Sequence, residues 1–288
     1  MSGDARLRAE VADTARRLHA RGWVANHDGN VTARAGTGRY LATPTATSKA
    51  VIDAASLLVV DDAGARVSGA KKPFGELGLH LTVYRNRPDV NAVVHAHPPT
   101  ATGFAVAGVP LDRPMIAEAV VSLGVGVPTV PLAAPGEAAC AALAPYCATH
   151  DAVLLAGHGV IAWGADLEQA YLRLELVEHL AKIALVAHQL GGVRPLPAAM
   201  IPPLLESRRK AGLGLAASRA PGEPAKKAVV ACSLPPPGAD VVLVEDQSGL
   251  GAGRFGGLGP QNPRTSAIAS PGDLSAIIRQ EIAAALKK

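Results

Sequence analysis

The chain has 288 residues, of which 49% are hydrophobic and 18% charged, and this composition excludes an intrinsically disordered protein. The net charge is only +4, aromatic residues make up 3%, and no basic run is longer than Arg208-Arg209-Lys210, which excludes a typical nucleic-acid-binding protein. Glycine and proline interrupt the longest apolar run, residues 119–134, so the sequence predicts no membrane span.

The first residues and the cysteines bear on the cellular compartment. Residues 1–6 are polar and lead directly into a helical pattern without the apolar stretch of a secretory signal, so we expect a cytoplasmic protein. Cys140, Cys147 and Cys232 show no Cys-x-x-Cys spacing and no neighbouring histidine. We therefore expect three reduced thiols without a disulfide or metal role.

Apolar residues alternate between helical and strand spacing along the first 194 residues. In chain order, the sequence predicts a helix around 7–18, two short strands within 29–43, a strand at 57–60, a helix at 76–85, a strand at 92–95, a helix after 98–99, a strand near 129–132, a helix after 135–136, strands at 152–156 and 160–163, and a long helix at 167–190. This alternation is typical of helices layered over a central sheet.

Composition changes sharply after residue 194. Glycine and proline account for 30 of the first 194 residues but for 23 of the 78 residues at 195–272. We therefore assign residues 1–194 to a catalytic domain and residues 195–270 to a mostly disordered Pro/Gly-rich linker. Residues 271–288 are predicted to form an amphipathic helix, with Ser270 as N-cap, Pro271 in the first turn and one aliphatic stripe: Leu274, Ile277, Ile278, Ile282 and Leu286.

Three histidines carry the strongest functional signal. His95 and His97 stand two residues apart at the end of a predicted strand, so both side chains lie on one face and can hold the same ion. His158 lies between Gly157 and Gly159, which allow close backbone approach. Three imidazoles leave a coordination position open, as in catalytic zinc sites, and Glu76 on the preceding helix is the candidate carboxylate.

Each of these features has an ordinary structural interpretation when taken alone. A His-x-His pair is commonly polar strand-end surface, and a single helical glutamate is commonly solvated. Their order in the chain is more specific. Together with Gly29-Asn30-Val31-Thr32, Thr43-Pro44-Thr45, Lys72-Pro73 and Arg87-Pro88-Asp89, they make residues 4–192 resemble the class II aldolase/adducin family.

The resemblance implies a fold, a cofactor and an assembly. The implied fold is a three-layer α/β/α sandwich with a mixed, largely antiparallel sheet. The resemblance places a zinc ion on His95, His97 and His158, and makes Glu76 the acid/base that also ligates the metal when substrate is absent. It further implies a homotetramer with active sites at subunit interfaces.

The implied reaction is the cleavage of a short ketose 1-phosphate, such as fuculose or rhamnulose phosphate. The products would be dihydroxyacetone phosphate and a small aldehyde such as lactaldehyde, formed through an enediolate that the metal stabilises. Alternative reactions on the same centre are epimerisation, dehydration and decarboxylation, although related 4-epimerases carry aspartate in place of Glu76. A non-catalytic, adducin-like module is the third class, and the retained ligand set counts against it.

The phosphate pocket departs from the family pattern. The resemblance places a sugar or sugar-phosphate substrate against seven positions: Gly29, Asn30, Thr43, Thr45, Ala46, Phe74 and Gly75. Phe74-Gly75 replaces a pair of serines, Ala46 replaces a usual glycine, and we expect Ser48, Lys49, Lys71 and Lys72 to be able to compensate. The family's tyrosine proton donor has no match at 113–120, where Glu118 is the next acidic candidate.

Residues 271–288 resemble the encapsulation peptides that direct enzymes into bacterial microcompartments. This resemblance implies binding to shell proteins inside a cytoplasmic compartment. The alternative is docking of the helix on its own core or on a neighbouring subunit. Membrane-surface binding is weakly supported, because the segment has few basic residues and its stripe has no Trp or Phe.

Overall fold

The computed structural model describes residues 3–214. Its helices are α1 (Gly3–Ala20), α2 (Leu77–Asn86), α3 (Pro99–Ala107), α4 (Ala117–Leu123), α5 (Glu137–Cys147), α6 (Leu167–Gln189) and α7 (Ile201–Lys210). Its strands are β1 (Asn30–Gly36), β2 (Arg39–Ala42), β3 (Leu58–Asp61), β4 (Arg66–Ser68), β5 (Ala92–Ala96), β6 (Thr129–Val130), β7 (Ala152–Leu155) and β8 (Gly159–Gly164). Within this part of the chain, no helix is both long and apolar enough to cross a membrane.

The strands form one sheet in the order β4-β3-β2-β1-β5-β8-β7-β6. Every neighbouring pair is antiparallel except β6 and β7, which run parallel. In the centre of the sheet, Asn30 of β1 lies opposite His95 of β5, and His95 lies opposite Ile161 of β8. This register places the two candidate site residues side by side.

Helices cover both faces of the sheet, because successive strand side chains point to opposite faces. On one face, Val94 and Ala162 belong to a hydrophobic core that includes residues of α1, α3 and α6. On the other face, Val93 and Trp163 belong to a second core with residues of α2 and α5. The predicted three-layer α/β/α fold with a mixed, largely antiparallel sheet is confirmed.

Two short elements of this domain were not predicted. β4 pairs only with β3 at the sheet edge, and its three residues are all exposed, so it has no hydrophobic alternation to detect. α4 is a seven-residue helix within an apolar run, which lacks the polar face that marks a helix in sequence.

The chain also remains folded beyond residue 194, contrary to the predicted start of the linker. α7 begins with prolines 202 and 203 in its first turn, where a missing N–H costs no helical hydrogen bond. These prolines contributed to the high Gly/Pro content from which the linker was predicted, but proline is also common in the first turn of a helix. Arg208 fixes α7 to the core by donating to the carbonyl oxygens of Val121 (2.9 Å) and Ser122 (2.5 Å). The remaining linker and the predicted helix at 271–288 lie outside the described residues.

A buried carboxylate joins three helices at one end of the sheet. Asp151 is 1% exposed and forms ion pairs with Arg87 (3.0 Å), with Arg173 of α6 (3.0 Å) and with Arg208 of α7. Arg87, directly after α2, also pairs with Asp89 at 2.7 Å. Burial lowers the pKa of Arg173 to about 10, and the charge of Asp151 opposes this effect. The cluster holds elements from both helical layers together.

Substitution of Asp151 tests the contribution of this cluster to stability. We expect Asp151→Asn to lower the free energy of unfolding by about 3–5 kcal/mol, because it leaves buried guanidinium groups without their shared anion. Guanidinium chloride titration followed by circular dichroism measures the change. The matched control is Asp13→Asn, since Asp13 forms an exposed pair with Arg16 and its loss should cost at most about 1 kcal/mol. Equal effects of the two substitutions would contradict the expectation.

Candidate metal centre and active site

The three predicted histidines converge at the ends of the central strands. His95 lies in β5, His97 directly after it, and His158 in the turn between β7 and β8. One ring nitrogen from each lies within 4.8 Å of the other two, and the Nε2 atoms of His95 and His97 are 3.2 Å apart. Three imidazoles thus face one common point.

Two glycines make this convergence possible. A Cβ at Gly159 would lie 2.6 Å from both the carbonyl oxygen of Ala96 and Cδ2 of His97, so a side chain there would push β8 away from β5. Gly29 has a φ of +66°, and a Cβ there would lie 2.4 Å from Val24 Cγ1. Gly29 was predicted as a substrate-binding position, and the structure shows that packing alone requires glycine there.

Polar partners at Nδ1 orient two of the imidazoles. Nδ1 of His95 donates to the carbonyl oxygen of Val160 at 2.8 Å, which leaves the Nε2 lone pair directed at the cluster. Burial lowers the pKa of His95 to about 4, so the ring is neutral and available as a ligand. Nδ1 of His97 lies 3.4 Å from the carboxylate of Asp28. Such outer partners fix ring orientation at metal sites.

Glu76 directly precedes α2 and completes the cluster. Its Oε1 lies 2.7 Å from Nε2 of His158, and its Oε2 lies 3.5 Å from Nε2 of His95. Oε2 also accepts a hydrogen bond from Nδ2 of Asn30 at 2.7 Å. Burial alone would raise the pKa of Glu76, but the electrostatic interaction with the nearby His95 and the hydrogen bonds from His158 and Asn30 outweigh it and hold the pKa below its usual value. The group is therefore a carboxylate.

The donor set fits a divalent transition-metal ion. Bonds of about 2.0–2.1 Å in a tetrahedral site separate ligand atoms by about 3.3 Å, close to the 3.2 Å between the His95 and His97 nitrogens. Imidazole nitrogen suits such ions, and a carboxylate is a common fourth ligand. His95, His97 and His158 would hold the ion, with Glu76 beside them.

The predicted phosphate-binding threonines are engaged by the protein backbone. Thr43 is buried, and its Oγ1 accepts a hydrogen bond from the N–H of Val31 at 3.1 Å. The N–H of Thr45 donates to the carbonyl oxygen of Lys72 at 3.1 Å, so it is already used within the protein. The first contact ties Thr43 to β1, and the second ties the loop after β2 to the loop before α2.

The three positions that depart from the family pattern have different surroundings. Ala46 has a φ of +49°, a left-handed conformation that favours the glycine usual at this position. Phe74 is buried, with its ring 5.1 Å from that of His80. A Cβ at Gly75 would meet no atom within 4 Å, so the space beside Glu76 is open.

Lys49 holds the loop behind the cluster. From the sequence, we had expected it to compensate for the phosphate-binding groups that the chain lacks. Its ammonium is buried and donates to the carbonyl oxygens of His27 (2.8 Å) and Thr47 (3.1 Å). Burial lowers its pKa to about 8, whereas the charges of Asp28 and Glu76 act in the opposite direction. The loop from His27 to Asn30 therefore presents Asp28 and Asn30 to the site from a fixed base.

The other residues suggested from sequence lie outside the cluster. Ser48 accepts a hydrogen bond from the N–H of Ala50 at a short 3₁₀ turn, and Lys71 donates to Oγ1 of Thr47 at 2.9 Å. Glu118 is exposed on α4. Asp28 was missed, because a single acidic residue in a loop has no spacing pattern that would mark it.

Comparison with known proteins identifies the family. Residues 9–185 match the Class II Aldolase and Adducin N-terminal domain. The chain belongs to this family. Among its curated relatives, a 3-oxo-tetronate 4-phosphate decarboxylase from Pectobacterium atrosepticum is 32% identical over 191 residues, which cover 65% of this chain and 87% of the relative.

Another relative and a solved structure give the same family. An L-fuculose phosphate aldolase from Methanococcus vannielii is 32% identical over 166 residues, covering 58% of this chain and 88% of that protein. The crystal structure of YgbL from Escherichia coli superposes with a TM-score of 0.65 at 32% identity, covering 70% of this chain and 98% of that one. Members of this class II aldolase family that resemble the chain thus carry different reaction names.

Removing one histidine tests the metal centre. We expect His95→Ala to weaken metal binding by more than about 100-fold, since changes to outer partners alone cost 10–100-fold. Mass spectrometry of the purified protein measures metal content, with circular dichroism to verify folding. His179→Ala, an exposed helical histidine, is the control and should retain full occupancy. Full occupancy in a double variant lacking both His95 and His97 would contradict the site.

Proposed function

We propose that the chain is a zinc-dependent class II aldolase that cleaves a short ketose 1-phosphate. The products are dihydroxyacetone phosphate and a small aldehyde, as expected for a substrate such as fuculose or rhamnulose phosphate. The observation that carries this proposal is the carboxylate of Glu76 beside three converging imidazoles. Zinc is the proposed ion because it binds histidine nitrogen and carboxylate oxygen, and catalytic zinc sites commonly use three protein ligands such as three histidines.

The proposed reaction needs one proton donor at carbon. His95, His97 and His158 would hold the zinc ion, which would supply a Lewis acid for the substrate carbonyl. The C3–C4 bond breaks, the C4 hydroxyl gives its proton to water, and the electron pair remains on the donor fragment as an enediolate. The Glu76 carboxylate takes up a proton from water and transfers it to the enediolate carbon, which gives dihydroxyacetone phosphate. Asn30 holds the Glu76 carboxylate in place through the 2.7 Å hydrogen bond.

Decarboxylation is the second candidate, and one feature of the site favours it. Loss of carbon dioxide from a phosphorylated 3-oxo acid gives the same enediolate without a base to deprotonate a hydroxyl group. Among the described residues, Glu76 and Asp28 are the carboxylates in contact with the three histidines, and Asp28 is engaged with His97. Relatives named as 3-oxo-tetronate 4-phosphate decarboxylases support the same alternative.

A substrate screen separates the two candidates. The zinc-loaded protein is incubated with ketose 1-phosphates, unphosphorylated ketoses and phosphorylated 3-oxo acids, and products are identified by mass spectrometry. Release of an aldehyde with dihydroxyacetone phosphate supports the aldolase, and release of carbon dioxide supports the decarboxylase. Comparing the turnover of each ketose 1-phosphate with that of its unphosphorylated form shows whether the enzyme requires the phosphate group.

Replacing Glu76 tests its proton-transfer role. We expect Glu76→Gln to retain the fold and the metal but to slow proton exchange at the donor carbon by about 10²–10⁴-fold, the usual contribution of a positioned acid/base. Exchange of the pro-chiral proton of dihydroxyacetone phosphate with deuterated water is followed by NMR. Glu137→Gln, at the exposed start of α5, is the control. Normal exchange in Glu76→Gln with slow exchange in Glu118→Gln would assign the role to Glu118 instead.

We also propose a homotetramer as the active assembly, with residues 271–288 as an encapsulation peptide. The sequence pattern of a Pro/Gly-rich stretch followed by one aliphatic stripe supports the second part. We expect deletion from Pro271 onward to leave turnover and the number of subunits, measured by light scattering, unchanged. Fusion of residues 271–288 to a fluorescent protein should direct it to a cognate shell in the cytoplasm. Loss of turnover on deletion would place the segment in the catalytic assembly.

A further inference from the structure

A column of polar side chains crosses the otherwise apolar layer between β1 and α2. Asn30 and Thr32 are two residues apart on β1 and therefore share one face of the strand. Glu76, the N-cap of α2, and His80 and Tyr84 within the helix recur every four residues and therefore lie on one side of it. The two rows meet, because Asn30 contacts Glu76 while Thr32 contacts both His80 and Tyr84.

The contacts within this column are short and buried. Oγ1 of Thr32 lies 2.8 Å from Nδ1 of His80 and 2.9 Å from the hydroxyl oxygen of Tyr84. Thr32 and His80 are completely buried, and Tyr84 is 3% exposed. The Phe74 ring packs edge-on against His80 and helps to cover it on the side of the loop before α2.

Two atoms of the column have no hydrogen-bond partner among the described residues. They are Oδ1 of Asn30 and Nε2 of His80, and both are inaccessible to solvent. A buried polar atom without a partner costs roughly 1–3 kcal/mol, so native structures nearly always satisfy it through protein or an ordered water. Asn30 lies one strand repeat from Thr32, the partner of His80, and His80 lies one helical turn from Glu76, the partner of Asn30. Asn30 and His80 are therefore neighbours in the column.

The Glu76 carboxylate sets the direction of every hydrogen bond in the column. A carboxylate only accepts, so Asn30 must present its NH₂ group to Glu76 and its carbonyl oxygen Oδ1 toward the interior. Burial lowers the pKa of His80 to about 3, so its ring is neutral and carries a single proton. That proton can serve the carbonyl oxygen of Asn30 only if it resides on Nε2. Nδ1 of His80 then accepts a hydrogen bond from the Thr32 hydroxyl, and the Thr32 hydroxyl accepts one from Tyr84.

We propose that a buried water links Nε2–H of His80 to Oδ1 of Asn30 and that His80 is a positioning residue for Glu76. The complete chain then runs from Tyr84 through Thr32, His80, the water and Asn30 to the carboxylate. It fixes the Asn30 amide in the orientation that donates to Glu76. The catalytic part of this inference rests on the proposed proton transfer by Glu76, whereas the hydrogen-bond chain itself does not.

Kinetics of matched variants test the positioning role. His80→Phe preserves ring volume but removes the donor, and we expect kcat to fall about tenfold, the lower range for loss of an outer partner, with KM within twofold and unchanged metal content. His80→Gln restores an N–H donor near the Nε2 position and should recover most of the rate. Thr82→Val is the control, because Thr82 is a buried α2 residue whose hydroxyl donates to Gly78 within the helix. Wild-type kcat in His80→Phe would overturn the role.

Nitrogen-15 NMR of imidazole-labelled protein provides a readout that does not need turnover. We expect His80, assigned by comparison with His80→Gln, to show the tautomer with the proton on Nε2, and Thr32→Val to weaken that preference. A proton on Nδ1 in the wild-type protein would refute the chain. If the chain is observed but the protein turns over none of the screened substrates, the proposed reaction fails and the hydrogen-bond network stands.

Discussion

The candidate site depends on the antiparallel register of three central strands. Pairing of β1, β5 and β8 sets Asn30 opposite His95 and His95 opposite Ile161, so the Glu76 partner and a metal-ligand candidate share one face of the sheet. A slip of one residue would turn these side chains to the opposite face. Gly29 and Gly159 permit the close approach of neighbouring backbones at the strand ends, where a Cβ would collide with the atoms around it. Backbone pairing, rather than contacts among the histidines, therefore places the ligands.

Fixed charges behind the histidines keep the outer part of the site in place. The buried Lys49 ammonium donates to carbonyl oxygens of two loops, and the neighbouring Asp28 faces His97 at 3.4 Å. On the α2 side, the amide of Asn30 and the apolar ring of Phe74 surround Glu76 and His80. Phe74 thus serves as a packing residue at a position where the family resemblance implies a serine. A polar arrangement of this kind requires that each buried donor meets an acceptor.

The sequence predicted the elements that have strong periodicity and the residues that have a spacing pattern. The two core layers follow from continuous apolar strands such as β5, which is buried on both faces, and His95, His97 and His158 follow from their positions at strand ends. Asp28 and His80 could not be found, because their roles arise from contacts between segments distant in sequence, and neither residue belongs to a motif that was recognised. The composition after residue 194 predicted a linker. Composition cannot show that Arg208 forms an ion pair with the buried Asp151, which lies 57 positions earlier in the chain.

Docking of α7 sets how many residues lie between the docked core and residue 271. If the linker began at residue 195, 76 residues would separate the folded core from residue 271, and a fully extended chain of that length spans at most about 270 Å. Because α7 and the following turn stay on the core as far as residue 214, only 56 residues remain, and the limit falls to about 200 Å. The ion pair between Arg208 and Asp151 therefore lowers this upper limit by roughly a quarter. A core substitution that released α7 would raise the limit without any change to the sequence after residue 214.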